Sequence, residues 1–202
     1  MNEKTFWSRY SKLYDIAQHG GREGYRLATN DALREIGGDA VVLELAAGTG
    51  LFTQGLAAKV QRLIATDYAE GMVEELKKRL LPENVTVEHA DACSLTYEDH
   101  SFDVVFIGNC LHIMPRPEQA LSEIRRVLKP DGLLIAPTYV REDGWGERFK
   151  VGFMKLFGFP DHQRWSAEQF KQFILDNGFT IQQSKLHKGT LPLLYLSAKP
   201  QQ

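Results

Sequence analysis

Short apolar runs alternate with amphipathic stretches along most of this chain, and that alternation restricts the fold more than any other feature. Val41-Val42-Leu43-Glu44-Leu45, Leu63-Ile64-Ala65-Thr66, Val85-Thr86-Val87-Glu88 and Phe102 to Ile107 have the length and apolar content of strands buried on both faces. Helical stretches separate them: Phe52 to Lys59, Met72 to Leu80 and Glu118 to Leu128. An earlier helix runs from about Tyr25 to Ile36 and ends at Gly37-Gly38. A fifth strand starts at Leu133-Leu134-Ile135-Ala136, after the turn Lys129-Pro130-Asp131-Gly132. Strands joined through helices imply a parallel sheet with helices on both faces, a three-layer α/β sandwich. The unbroken apolar character of Phe102 to Ile107 predicts the central strand.

The rhythm changes at both ends. After a helix near Ala167 to Asn177, Phe179 to Leu186 and Leu191 to Ala198 read as strands joined only by about Lys188-Gly189-Thr190. So short a connection permits only an antiparallel pair, because a parallel crossover needs a dozen or more residues. At the start, Phe6, Tyr10, Leu13 (or Tyr14) and Ala17 recur on one helical face until His19-Gly20-Gly21 breaks it. With 202 residues the chain suits one domain. It divides into cap helices (1–38), a core (40–140), an aromatic insert (141–165) and the last helix with the strand pair (166–202).

Composition removes several functions. A formal net charge of −2 supplies no excess of cations for a phosphate backbone, so nucleic acid is not an expected partner. No apolar run approaches the roughly 20 residues of a membrane helix. Met1 to Tyr10 is polar and aromatic, unlike a secretory signal. Cys93 and Cys110 have no company at metal-ligand spacing and read as small buried hydrophobes, so no metal is expected. The expectation is a cytoplasmic protein, monomer or homodimer, without membrane insertion.

The chemistry concentrates where strands end. Gly48 and Gly50 follow the first strand and precede a helix, a loop that lets backbone approach a ligand and aims free N–H groups at it. Alone, such a loop is also an ordinary tight strand-to-helix turn. Asp67 directly follows the second strand, where a carboxylate accepts from ribose hydroxyls. Asp91 follows the third, in position to read an adenine amino group, and Asn109 follows the fourth. Open α/β sheets bind ligands at this edge.

Glu44-Leu45-Ala46-Ala47-Gly48-Thr49-Gly50 resembles motif I of class I S-adenosylmethionine methyltransferases. Asp67-Tyr68-Ala69-Glu70-Gly71-Met72 resembles their acidic motif after strand two, Ala90-Asp91-Ala92 their adenine-contacting motif, and Phe102 to Ile113 their segment around strand four. Glu123 to Gly132 resembles their run into strand five. The resemblance covers about residues 40 to 140, and the closing strand pair matches the family beyond that. Ala46 stands where many members have glycine, a variant frequent in members resembling quinone-biosynthesis methyltransferases.

The resemblance implies a Rossmann-like fold with a seven-stranded, mostly parallel sheet, and S-adenosyl-L-methionine as cofactor with S-adenosyl-L-homocysteine as its product. It implies a cofactor site that includes Glu44 and Thr49 of motif I. Ala46, Gly48 and Gly50 would line the methionine part, and Asp67 would hold the ribose. Tyr68 and Met72 would flank the adenine, with Asp91 and Ala92 at its edge. The Asn109 carbonyl would accept from the methionine ammonium, and Tyr14 resembles a cap tyrosine that reaches the cofactor. Packing of Tyr14 on its helix's apolar face is the alternative.

A sulfonium activates its own methyl group, so alignment supplies most of the acceleration and a base is needed only for an acceptor that keeps its proton. His112 is the candidate base, against a plain hydrogen bond to backbone; Asp15 and His19 are weaker candidates. Aromatic residues crowd from Trp145 to Trp165, with Phe149, Phe153, Leu156 and Phe157 on one helical face. That face either packs on the sheet edge, walls a small hydrophobic or aromatic acceptor, or lies on a membrane surface. The rival functions are a cofactor-binding protein without transfer and a nicotinamide-dependent oxidoreductase, whose third fingerprint glycine is here Thr53.

Overall fold

A computed structural model describes residues 7–8, 22–141, 163–189 and 191–201. In chain order the elements are α1 (Arg22–Glu35), β1 (Val41–Leu45), α2 (Thr53–Ala57), β2 (Arg62–Asp67), α3 (Glu70–Lys77) and β3 (Val85–His89). There follow β4 (Phe102–Ile107), a 3-10 turn at Leu111–Ile113, α4 (Pro117–Val127), β5 (Leu128–Ile135) and β6 (Thr138–Tyr139). The described chain closes with α5 (Ala167–Asp176), β7 (Phe179–His187) and β8 (Leu193–Pro200).

The strands form one sheet in the order β3-β2-β1-β4-β5-β8, with β7 on the far side of β8. The β1, β2, β3, β4 and β5 pairings are parallel, with Val42 opposite Leu63 on one side and Val104 on the other. All five strands therefore end at one edge. Both β5 and β6 pair antiparallel with β8, through Leu134 with Ala198 and Thr138 with Leu194. Pro137 interrupts them, so β6 is a two-residue continuation of β5, and the sheet has seven strand positions as expected. The closing pair is antiparallel, and β4 is central.

Alternation along the strands sorts side chains onto two faces. Leu43, Leu45, Ile107 and Leu134 pack with Ile124 of α4 and Phe170 of α5. Val42, Leu63, Phe106 and Ile135 pack with Tyr25 of α1 and Leu56 of α2. Sequence alone shows why α4 is a helix: Pro117 occupies its first turn, and Ala120, Leu121, Ile124 and Val127 are its buried stripe. Ser166 and Gln169 cap α5 reciprocally.

One expectation is corrected. The turn at Lys129 to Gly132 is not a break between helix and strand, because β5 already pairs at Leu128. The register moves from Phe102 with Leu128 to Val104 with Leu133, so the four residues bulge from a continuous strand. The Lys129 ammonium meets the Asp103 carboxylate at 2.6 Å, whose other oxygen accepts from the Val41 N–H at 2.9 Å.

Candidate active site

The β1–α2 loop turns sharply at the common strand edge. Ala46, Gly48 and Gly50 have φ values of 54°, 58° and 91°. Glycine adopts such values freely; alanine does so at a cost of about 1–2 kcal/mol. The surroundings keep Ala46 there: the Ala47 N–H donates to the Thr66 carbonyl at 2.8 Å and the Gly50 N–H to the Ala47 carbonyl at 2.9 Å.

Asp67 ties this loop to the next. One carboxylate oxygen accepts from the Gly48 N–H at 2.9 Å and the other from the Ala69 N–H at 2.8 Å, ahead of α3. Burial raises its pKa, against the pull of these two N–H groups. Asp67 thus holds the glycine loop and the start of α3 in one arrangement, with each oxygen retaining acceptor capacity.

Across the edge, the Asp91 carboxylate accepts from the Cys93 N–H at 2.8 Å. Asn109 takes a left-handed φ of 50°. Its N–H donates to the Pro137 carbonyl at 2.8 Å, and its Oδ1 accepts from the Tyr139 N–H at 2.8 Å. Its buried Nδ2 has no partner among the described residues. Strain together with an unpaired buried donor is a pattern found at ligand sites.

Between these walls lies a cavity of about 300 Å³. It brings together Ala46 and Gly48 from the first loop, Asp67, Tyr68 and Met72 from the second, Asp91 and Ala92 from the third, and Asn109 from the fourth. Its remaining wall includes Ile113, Met114 and Arg116 beyond the 3-10 turn, and Trp7 from the N-terminal segment.

Other expected residues lie elsewhere. Glu44 is on the opposite sheet face from Leu45 and is buried, with neither carboxylate oxygen hydrogen-bonded among the described residues. Burial pushes its pKa up to about 8 against the pull of the Thr53 hydroxyl, and the nearby Asp67 charge adds to the rise. Thr49 is buried and off the cavity wall. Gly50 is off the cavity wall and serves the turn: its φ of 91° favours glycine, and a Cβ there would also stand 2.5 Å from Leu76 Cδ1 of α3. His112 is also off the wall, its Nδ1 3.1 Å from Thr138 Oγ1 and its carbonyl accepting from the Gln163 N–H at 2.9 Å. Tyr14, Asp15, His19 and the aromatic stretch from Trp145 to Phe159 lie outside the described residues. Trp165 is described, and its ring stacks on Phe173 of α5 at 4.5 Å, a packing role.

Sequence reasoning passed over Trp7, Cys93, Met114 and Arg116, which also line the cavity. Apolar residues directly after a central strand were the available signal for Met114. Trp7 fell outside the helical face read from the sequence, which took Phe6, Tyr10, Leu13 (or Tyr14) and Ala17.

Comparison with known proteins fits this geometry. Residues 43–136 match a family model described as a methyltransferase domain. The demethylmenaquinone methyltransferase of Clavibacter sepedonicus is 37% identical over 129 residues, 63% of this chain and 52% of the relative. That of Thermobifida fusca is 32% identical over 173 residues, 80% of this chain and 68% of the relative. The chain spans about half to two thirds of the length of these relatives. Among solved structures, the DhpI–SAH complex superposes with a TM-score of 0.76 at 19% identity, over 98% of this chain and 95% of that one. At that identity the likeness is one of fold.

Proposed function

The chain belongs to the class I S-adenosylmethionine-dependent methyltransferases, and we propose that it transfers the cofactor's methyl group in line to a small hydrophobic or aromatic acceptor. The observation that carries the proposal is the single cavity joining Gly48, Asp67, Asp91 and Asn109 at the ends of four adjacent strands.

The residues present suit this cofactor. Asp67 would accept from both ribose hydroxyls while it holds the glycine loop. Tyr68 and Met72 would flank the adenine, whose edge Asp91 and Ala92 would read. Ala46, Gly48 and the Asn109 carbonyl would hold the methionine end. The cofactor supplies an activated methyl group, so the protein's task is to align and to exclude water. Where the acceptor keeps its proton, His112 is the proposed base, a role that requires its ring to leave Thr138 and turn past Ile113 to the cavity.

The acceptor class is supported by the apolar wall at Ile113 and Met114 and by the relatives named for demethylmenaquinone. Incubation with methyl-deuterated cofactor and a panel of quinols, phenols and polar amines tests it by mass spectrometry. Label should enter the lipophilic ring compounds. Label only in polar amines would overturn the acceptor class, and cofactor binding without transfer to any acceptor would leave a binding protein.

A further inference from the structure

Trp7 reaches the cavity wall from the far end of the sequence, and its neighbour explains how. Ser8 rests on the head of α3, where its Oγ accepts from the Gly71 N–H at 3.3 Å. The backbones approach closely. A Cβ on Gly71 would stand 2.6 Å from the Ser8 carbonyl oxygen and 2.8 Å from its Cα, inside the 3.0 Å that real Cβ contacts respect. Gly71 lies within α3 and is not among the residues of positive φ. Its backbone therefore does not need glycine, and inside a helix glycine is the poorer choice beside alanine. What Gly71 supplies is room for Ser8. The next residue, Met72, is itself on the cavity wall, beside Tyr68 and Ala69 of the same loop.

We propose that Trp7 is a cofactor-contacting residue, seated by the Ser8–Gly71 contact so that its indole closes the adenosyl side of the cavity. This rests on the proposal that the cavity takes S-adenosylmethionine. An indole contributes a flat apolar face on which a purine stacks, and it removes water from one side of the ligand. The chain thus secures its adenosyl group with a residue more than sixty positions away from the loop it completes.

Calorimetric titration of the full chain with S-adenosylhomocysteine, and with methylthioadenosine as an adenosyl-only probe, tests the assignment. Trp7→Ala should weaken both ligands by roughly ten-fold or more, the range that stacking on an aromatic ring supplies. Gly71→Ala should weaken both as well, by displacing Ser8. Helix propensity alone predicts the opposite for Gly71→Ala, a more stable protein with unchanged affinity. As a second readout, fluorotryptophan labelling gives one fluorine signal for each of the three tryptophans, and Trp7→Phe identifies that of Trp7. Either ligand should shift this signal in the wild type. Unchanged affinity in both alanine variants, or a Trp7 signal indifferent to ligand, overturns the assignment. A wild type that binds neither ligand would instead remove the cofactor reading beneath it.

Discussion

Replacing Glu44 by glutamine should make the cofactor-free protein progressively more stable than the wild type as pH rises. Glu44 is 1% exposed, and neither of its carboxylate oxygens has a hydrogen-bond partner within bonding geometry among the described residues, with the Thr53 hydroxyl nearby giving a partial offset. Burial pushes its pKa from 4.5 up to about 8. Between these values the folded chain keeps the proton and the unfolded chain has lost it, so unfolding releases a proton and stability falls as pH rises. The contribution is fully present below pH 4.5 and lost by the time pH passes 8. At about 1.4 kcal/mol for each pH unit, the loss reaches about 3 kcal/mol by pH 7. Glutamine has similar shape and no proton to lose, so titrations that do not sense Glu44 cancel in the difference between the two proteins; Asp67, whose charge Glu44 feels, is the coupled group. For a chain of this size about 3 kcal/mol corresponds to a Tm difference on the order of 6–12 °C. Thermal melts followed by far-ultraviolet circular dichroism at pH 5, 6, 7 and 8 measure it. Parallel pH profiles for the two proteins would refute the assignment of Glu44 as a buried neutral acid.

Asp67→Ala should weaken binding of S-adenosylhomocysteine by about 1.5–3 kcal/mol, seen by calorimetry. It should also lower stability by about 2 kcal/mol in urea unfolding, since it strips the Gly48 and Ala69 N–H groups of their acceptor; unchanged stability would mean that the loops hold themselves. Ala46→Gly should raise stability by about 0.5–1 kcal/mol, the relief of a left-handed alanine less the added freedom of the unfolded chain. A loss of stability there would show that the methyl packs. His112→Ala should lower kcat by roughly a hundred-fold or more if the imidazole is the base, with cofactor affinity retained; unchanged kcat would leave His112 as a hydrogen-bond partner of Thr138.

The strands were legible because buried parallel strands need continuous apolar runs, and Val41–Leu45 and Phe102–Ile107 have the bounds read from the sequence. The Lys129 to Gly132 segment was not, because proline and glycine signal a turn whereas its pairing comes from β4 and the Asp103 carboxylate. In the site, residues directly following strands fell where spacing placed them. Glu44 and Gly50 did not, for different reasons. A strand's two-residue period turns Glu44 away from the face of Leu45, and Gly50 answers to its φ of 91° in the turn, with Leu76 packed close beside it, and not to a ligand. Trp7 was beyond the reach of local sequence, since it is Ser8, its neighbour, that meets Gly71 across the fold.

The central claim is that the edge cavity holds the methyl donor, and a crystal structure with S-adenosylhomocysteine bound tests it most directly. The ribose hydroxyls should lie within hydrogen-bond distance of the Asp67 carboxylate, with the adenine between Tyr68 and Met72 and its edge at Asp91. The amino group should meet the Asn109 carbonyl. Ligand density anywhere else, or a ribose out of reach of Asp67, would contradict it.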